Sequence, residues 1–243
     1  MKHYIENPKT KGSGIICAIP QIGTCPIKCE DCFFQNQRSY LEPLSDNLPN
    51  LPDDKNAFDR ILRVNDGNDS NNDKETVTKL TNKYSHKFYN TSIPKLDFDA
   101  PVVLTLNPGD MTNTGFHQIK NIPKNLMFVR FRTNTWNLVN AKLAIEYYTS
   151  KEVPVILTFM AYHSLESIPK HEQKSYMLRK RTTNEYYAIT TEAWRNIMKH
   201  SLIEDNIYVY SCGKIEGEKG KTSCRFCGNC IREFYATKER MRV

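Results

Sequence analysis

Residues Gly14–Phe34 read GIICAIPQIGTCPIKCEDCFF. The opening run, Gly14–Pro20, is short, apolar and rich in β-branched residues, the pattern of a buried strand. Directly after it stand Cys25, Cys29 and Cys32, spaced C-x3-C-x2-C. A strand that ends in a loop of soft ligands places metal chemistry at a strand's C-terminal end. In parallel α/β sheets, sites are built at that end.

The rest of the chain repeats the strand-then-loop theme. Strands are expected at Lys87–Ile93, Pro101–Leu106, Leu126–Phe131, Val153–Met160 and Ile207–Tyr210. With the first run they make six. Helical patterns lie between them: Ala57–Val64, N-capped by Asp54, with Phe58, Ile61 and Leu62 on one face; Glu75–Ser85; Leu138–Tyr148, with Leu138, Leu143, Ile145 and Tyr147; and a helix from about Thr191. Leu41–Pro52 is a Pro-rich connector, and Asn65–Asp73 (NDGNDSNND) is a polar break full of turn residues. Alternating strands and helices predict parallel strands joined by crossovers, an α/β sheet or partial barrel.

With 243 residues, 39% of them hydrophobic and 25% charged, an ordinary globular core can form. The longest near-apolar run, Val153–Tyr162, is too short to cross a bilayer, and MKHYIENPK has no apolar signal core. The expectation is a cytoplasmic protein without membrane contact. In the cytoplasm, clustered thiols bind metal more often than they pair as disulfides. A formal net charge of +7 is compatible with an anionic or nucleic-acid partner.

Eight cysteines are present. Cys17 lies inside the first apolar run and reads as a small buried hydrophobe. Cys25, Cys29 and Cys32 form one group; Cys212, Cys224, Cys227 and Cys230 form another. Closed thiolate sites use four ligands, and the first group has three, with no histidine at local ligand spacing. A three-ligand site leaves a position open for a substrate or cofactor.

These residues resemble the radical S-adenosylmethionine superfamily, whose signature is C-x3-C-x2-C after the first strand of an α/β barrel. The resemblance implies a partial (βα)6 TIM-like barrel over residues 1–211, with a Cys-rich extension over 212–243. It implies that Cys25, Cys29 and Cys32 hold three irons of a [4Fe–4S] cluster and that S-adenosylmethionine chelates the fourth. The reduced cluster would then cleave the sulfonium to a 5′-deoxyadenosyl radical, which abstracts a substrate hydrogen. An electron donor such as flavodoxin or ferredoxin is implied with it.

Other site residues follow from the same resemblance. The family places an aromatic residue before the third cysteine; here Asp31 stands there, and Phe33 and Phe34 follow, which makes Phe33 the candidate beside the cofactor. The family's Gly-Gly-Glu-like turn after the second strand is matched to Asn107-Pro108-Gly109-Asp110, with Asp110 in the acidic role and Gly109 allowing close backbone approach. Thr133 and Asn134 are candidates for the ribose hydroxyls. Arg130, Arg132, Thr158, Tyr162 and His163 are candidate linings of the barrel mouth.

The second group supplies a complete set of four thiolates, for an auxiliary [4Fe–4S] cluster or for zinc. Lys214, Lys219, Lys221, Arg225 and Arg232 flank it and would favour thiolates or an anionic substrate. Two other readings compete. A zinc-bound nucleic-acid-binding protein gains from the positive charge and from Phe226, Phe234 and Tyr235, but leaves the α/β alternation unexplained. A two-cluster electron carrier leaves Phe33–Ser211 without a purpose.

Overall fold

The computed structural model describes residues 3–27, 29, 32, 34, 39–107, 118–180, 185–213 and 224–242. Seven strands form one parallel sheet: β1 (Ile15–Ala18), β2 (Ile61–Val64), β3 (Lys87–Thr91), β4 (Val102–Leu106), β5 (Leu126–Thr133), β6 (Val155–Phe159) and, last in sequence, β10 (Val209–Ser211). Their spatial order is their sequence order, and the sheet curls into a half-barrel. Three further strands, β7 (Ala161–Tyr162), β8 (Tyr176–Lys180) and β9 (Glu185–Ile189), make a small antiparallel sheet after β6.

The sheet has one strand more than the sequence pattern predicted. The segment read as the helix Ala57–Val64 is instead β2, paired in parallel with β1 from Ile15↔Ile61 to Ala18↔Val64. Helix α2 is confined to Asp54–Ala57, after α1 (Leu44–Asn47), and its N-cap is Asp53, whose carboxylate accepts the Asn56 N–H at 2.7 Å. Phe58, assigned to the buried helical face, is 76% exposed. Ile61, Leu62 and Val64 are nearly consecutive, so a sheet flanked by two packed layers buries them all, and a single helix face would not.

One face of the sheet packs against α3 (Lys74–Thr81), α4 (Leu138–Thr149), α5 (Thr191–Met198) and the short α6 (Ser201–Glu204), through Val64, Tyr89, Leu104, Val129 and Val155. Thr190 caps α5 by accepting the Ala193 N–H, which fixes the start expected from the sequence. Helix α4 also lies where expected but turns another stripe inward: Ala141, Ala144, Ile145 and Tyr148 are buried, and Leu143 is 44% exposed. The two alanines allow the helix backbone to approach the sheet closely. The β3–β4 link, residues 92–101, contains no helix, so the βα alternation is incomplete.

The opposite face, here the inner face, is covered by α8 (Asn229–Arg242). Phe234 of α8 sits among Ile15, Ile61, Phe88, Val103, Phe128 and Ile156. The Arg240 guanidinium ties the far end of α8 to the Lys124 and Leu126 carbonyls at 3.1 and 2.6 Å. No helix among the described residues is long and apolar enough to cross a membrane.

Candidate metal centres at the strand ends

The loop that leaves β1 carries Cys25, Cys29 and Cys32 and is fastened on two sides. Ile19 and Asn50 exchange backbone hydrogen bonds at 2.9 Å, and Phe34 is buried with Ile19, Leu41 and Leu48. The second fastening is the polar segment Asn65–Asp73. It is not a loose connector: Asn65, Asp66, Asn68, Asp69 and Ser70 are all buried. Gln21 Nε2 donates to the Asp69 and Asn72 carbonyls at 2.9 and 2.8 Å, and Asn68 Nδ2 donates to the Gly23 carbonyl at 3.0 Å. The loops after β1 and β2 therefore form one unit.

Among the described residues, which include all eight cysteines, none is in a disulfide. The Cys32 N–H donates to the Cys29 carbonyl at 3.2 Å, closing a tight turn within the motif. Asn107, at the end of β4, donates its side-chain N–H to the Cys29 sulfur at 3.6 Å. Arg132, on β5, donates to Asn107 Oδ1 at 2.9 Å. Burial pushes the Cys25 thiol up; backbone N–H groups of Ile27 and Asp69 hydrogen-bond it and oppose the rise, to which the Asp69 and Cys32 charges add. The three-cysteine loop thus touches the ends of both β2 and β4.

The other expected site residues fall in different places. Phe33, Gly109 and Asp110 lie outside the described residues, as do Asp31, Lys214, Lys219 and Lys221. Asn107 follows the fourth strand; the second strand runs into Asn65-Asp66-Gly67. Thr133 and Asn134 are buried in the β5–α4 turn. Thr133 Oγ1 donates to Asn137 Oδ1 at 3.0 Å, and Asn134 Oδ1 accepts the Trp136 and Asn137 N–H groups. Asn134 Nδ2 donates to the Tyr162 hydroxyl at 3.1 Å, and Tyr162 packs with Trp136 and Tyr176.

Asp66 is the residue that sequence reasoning missed. It is 7% exposed; its Oδ2 accepts the Asn7 side-chain N–H at 2.7 Å, and its Oδ1 has no partner. Asp69, by contrast, accepts from Thr91 Oγ1, Ser92 Oγ and the backbone N–H groups of Asn71 and Ser92. The signal was present in the run Ile61–Val64 followed by Asn-Asp-Gly, an apolar strand and a turn, and it was lost when that run was assigned to a helix.

Side chains along a strand alternate between faces. Two residues beyond the apolar floor of the inner face, each of the strands β1–β6 presents a polar or sulfur group: Cys17, Arg63, Asn90, Thr105, Arg130 and Thr158. Arg130 donates to Asn90 Oδ1 at 2.8 Å and to Thr105 Oγ1 at 3.5 Å. Arg63 Nε and Thr158 Oγ1 are buried without a hydrogen-bond partner. Such atoms point to a group or ordered solvent that the protein does not itself supply.

The second cysteine group meets this layer. Cys212 follows β10, and its N–H donates to the Leu157 carbonyl at 2.8 Å, which sets it beside Thr158. Asn229 Nδ2 ties the start of α8 to the Ser211 carbonyl at 3.0 Å. The Cys224 N–H donates to the Lys9 carbonyl at 3.2 Å, fastening α7 (Cys224–Cys227) to the segment before β1. Gly228 takes φ +68°, a turn that separates α7 from α8 at little cost only for glycine. Cys212 and Cys230 pack against the inner-face cluster. Burial pushes the Cys230 thiol up to about 12, against the pull of Arg130 and Arg63. Burial likewise raises Cys224.

Both donor sets are all-sulfur, which suits iron–sulfur clusters and zinc. Among the described residues, no group of three or more His, Cys, Asp or Glu side chains is placed so that it could hold a single metal ion, as a zinc site would require. The cysteines of a cubane bind different irons, so their sulfurs need not converge on one point. No family model matches the chain, and neither a curated protein nor a solved structure matches it.

Proposed function

We propose that this chain is a radical S-adenosylmethionine enzyme: a partial (βα) TIM-like barrel over residues 1–211, with a second, four-cysteine metal centre completed by the Cys-rich segment 212–243. The observation that carries the reading is the C-x3-C-x2-C loop at the C-terminal end of β1 in a parallel half-barrel, knitted to the loop after β2. Cys25, Cys29 and Cys32 would hold a [4Fe–4S] cluster and leave its fourth position to S-adenosylmethionine. When bound, that pair supplies a one-electron reductive cleavage whose product removes a hydrogen atom from the substrate.

The chain's own residues bind and orient. Asn107 hydrogen-bonds a ligand sulfur, and Arg132 holds Asn107 in place. Asp66, in the turn after the second strand and with Oδ1 buried and unpartnered, would take the acidic role toward the cofactor's amino group. Gly109 and Asp110, which follow β4 in sequence, and Phe33 remain candidates on the motif resemblance alone. The formal net charge of +7 favours an anionic substrate, a nucleotide or nucleic acid among them. A flavodoxin- or ferredoxin-type protein would supply the electron.

The test is anaerobic iron, sulfide and zinc analysis of reconstituted protein, read with 5′-deoxyadenosine release after dithionite and S-adenosylmethionine. Iron in both sites, with release lost in Cys29→Ala, supports the reading. Colourless, zinc-only protein that releases no 5′-deoxyadenosine would sink it and leave a zinc-bound nucleic-acid-binding protein in front.

A further inference from the structure

The inner face holds two guanidinium groups, those of Arg63 and Arg130. Arg130 is 8% exposed, and its hydrogen-bond acceptors, Asn90 and Thr105, are both neutral. Arg63 shares the layer, and its Nε is buried with no hydrogen-bond partner. Among the described residues, no ion pair includes either arginine. A buried cation without an anion is costly; the Asp66 carboxylate acts on Arg63, so it is Arg130 above all that implies a counter-charge the described residues do not show.

Thiols face both arginines, and Asp66 and Tyr40 face Arg63 as well. The Arg130 guanidinium lies 5.6 Å from the centre of the Phe128 ring, and Phe128 belongs to the cluster on which Cys212 and Cys230 pack. Burial and Arg63 disfavour charge on Arg130, lowering it to about 10, while Cys230, Cys212 and Cys224 support it. Burial also opposes charge on Arg63; the Asp66 carboxylate supports it, as the sulfurs of Cys17, Cys230 and Cys224 do only when ionised. Three of the four cysteines in the second group therefore act on the two arginines.

We propose that Arg63 and Arg130 are the built-in counter-charge of the second cysteine centre, with Arg130 the principal one. The inference rests on the reading that Cys212, Cys224, Cys227 and Cys230 hold a metal group. Four thiolates around zinc, or around an oxidised [4Fe–4S] core, carry a formal charge of about −2, which two guanidinium groups match. In this arrangement the arginines favour thiolate over thiol during assembly. They also favour the reduced state of a cluster, which gains one electron and one negative charge with no bond broken.

The experiment uses the full chain carrying Cys25→Ala, Cys29→Ala and Cys32→Ala, so that only the second centre can load. Metal and sulfide analysis comes first. A chain that takes up neither iron nor zinc overturns the metal reading, and this inference with it, before any arginine is changed. If iron loads, dithionite titration followed by electron paramagnetic resonance reads the potential. Arg130→Met should disfavour reduction at least tenfold, about 59 mV for one electron, and Arg130→Lys should stay near the parent. If zinc loads, Arg130→Met should release it to a chelator at least tenfold faster, again with rescue by lysine. Arg63→Met, on the more open side, should move the same readout in the same direction and carries the test if Arg130→Met does not fold. Metal-loaded variants with unchanged potential or zinc release overturn the inference alone. Loss of inorganic phosphate binding in such variants would assign the pair to an anionic substrate instead.

Discussion

Gly67 lies flat against the ring of Phe34: a β-carbon placed on Gly67 would stand 2.3 Å from Phe34 Cδ2. Phe34 is 1% exposed and cannot swing into solvent without leaving its apolar cluster. The contact joins the loop after β2 to the end of the cysteine motif, so the shape of one loop sets the position of the other. Gly67→Ala should cost about 1–3 kcal/mol, the usual range for overpacking a filled site. Thermal melting would show it as a fall of roughly 2–4 °C per kcal/mol for a domain of this size. Gly23→Ala, with nothing within 4 Å of the new carbon, serves as the control and should be near neutral. Equal melting temperatures for both variants would contradict the close packing.

The open Oδ1 of Asp66 leads to a prediction about the cofactor. If that oxygen accepts from the amino group of S-adenosylmethionine, Asp66→Asn removes a hydrogen bond between charges worth about 1.5–3 kcal/mol, roughly a 10- to 100-fold weaker Kd. Equilibrium dialysis of reconstituted protein with labelled S-adenosylmethionine measures it. Asp110→Asn should change the Kd much less. The reverse pattern, with Asp110→Asn crippling and Asp66→Asn silent, would return the acidic role to the turn after β4.

What the sequence disclosed follows from how local each signal is. The Ile15–Ala18 strand and the cysteines after it are adjacent in the chain, and both were legible. So were the Thr190 cap and the start of α5. The run from Ala57 to Val64 misled because Phe58, Ile61 and Leu62 also fit a helical stripe; only pairing with β1, more than forty residues earlier, decides for a strand. That error hid Arg63 inside a supposed helix and left Asn65-Asp66-Gly67 unread as a turn at the end of a strand, while Asn107–Asp110 was matched on motif resemblance alone. The β8–β9 hairpin was missed as well: Met177 and Leu178 are both exposed, so its strands lack the clean alternation that marks a half-buried sheet.

Phe234 links the covering helix to the sheet. It is 1% exposed within the inner-face cluster, so Phe234→Ala should cost about 3–5 kcal/mol if the cavity does not collapse. Because Cys230 is on the same helix, the loss should fall on the second centre. We expect metal bound through Cys212, Cys224, Cys227 and Cys230 to drop sharply and metal bound through Cys25, Cys29 and Cys32 to be largely kept. Metal analysis of Phe234→Ala in the background of each cysteine group separates the two. Parallel loss from both groups would mean that the helix supports the whole sheet and not one site.

Cys17 lies on the inner face, where Cys212 and Cys230 also pack, yet should ligate nothing. It is fully buried in β1; the Tyr4 hydroxyl donates to its carbonyl at 2.8 Å, and its sulfur lies 3.8 Å from Thr10 Oγ1. Burial pushes its thiol well above the ordinary range, and the Asp66 charge adds to the rise. The thiolate is the reactive and ligating form, and a raised thiol pKa means almost none is present at pH 8. Raising the pH to 8 should therefore leave Cys17 unalkylated by iodoacetamide in the folded protein and reactive only once denaturant is added, as peptide mass mapping would record. Cys17→Ala should keep the full metal content of the parent, whereas Cys29→Ala should lose the metal of the first group. Metal loss on changing Cys17 alone would make it a ligand and would redraw the boundary between the two centres.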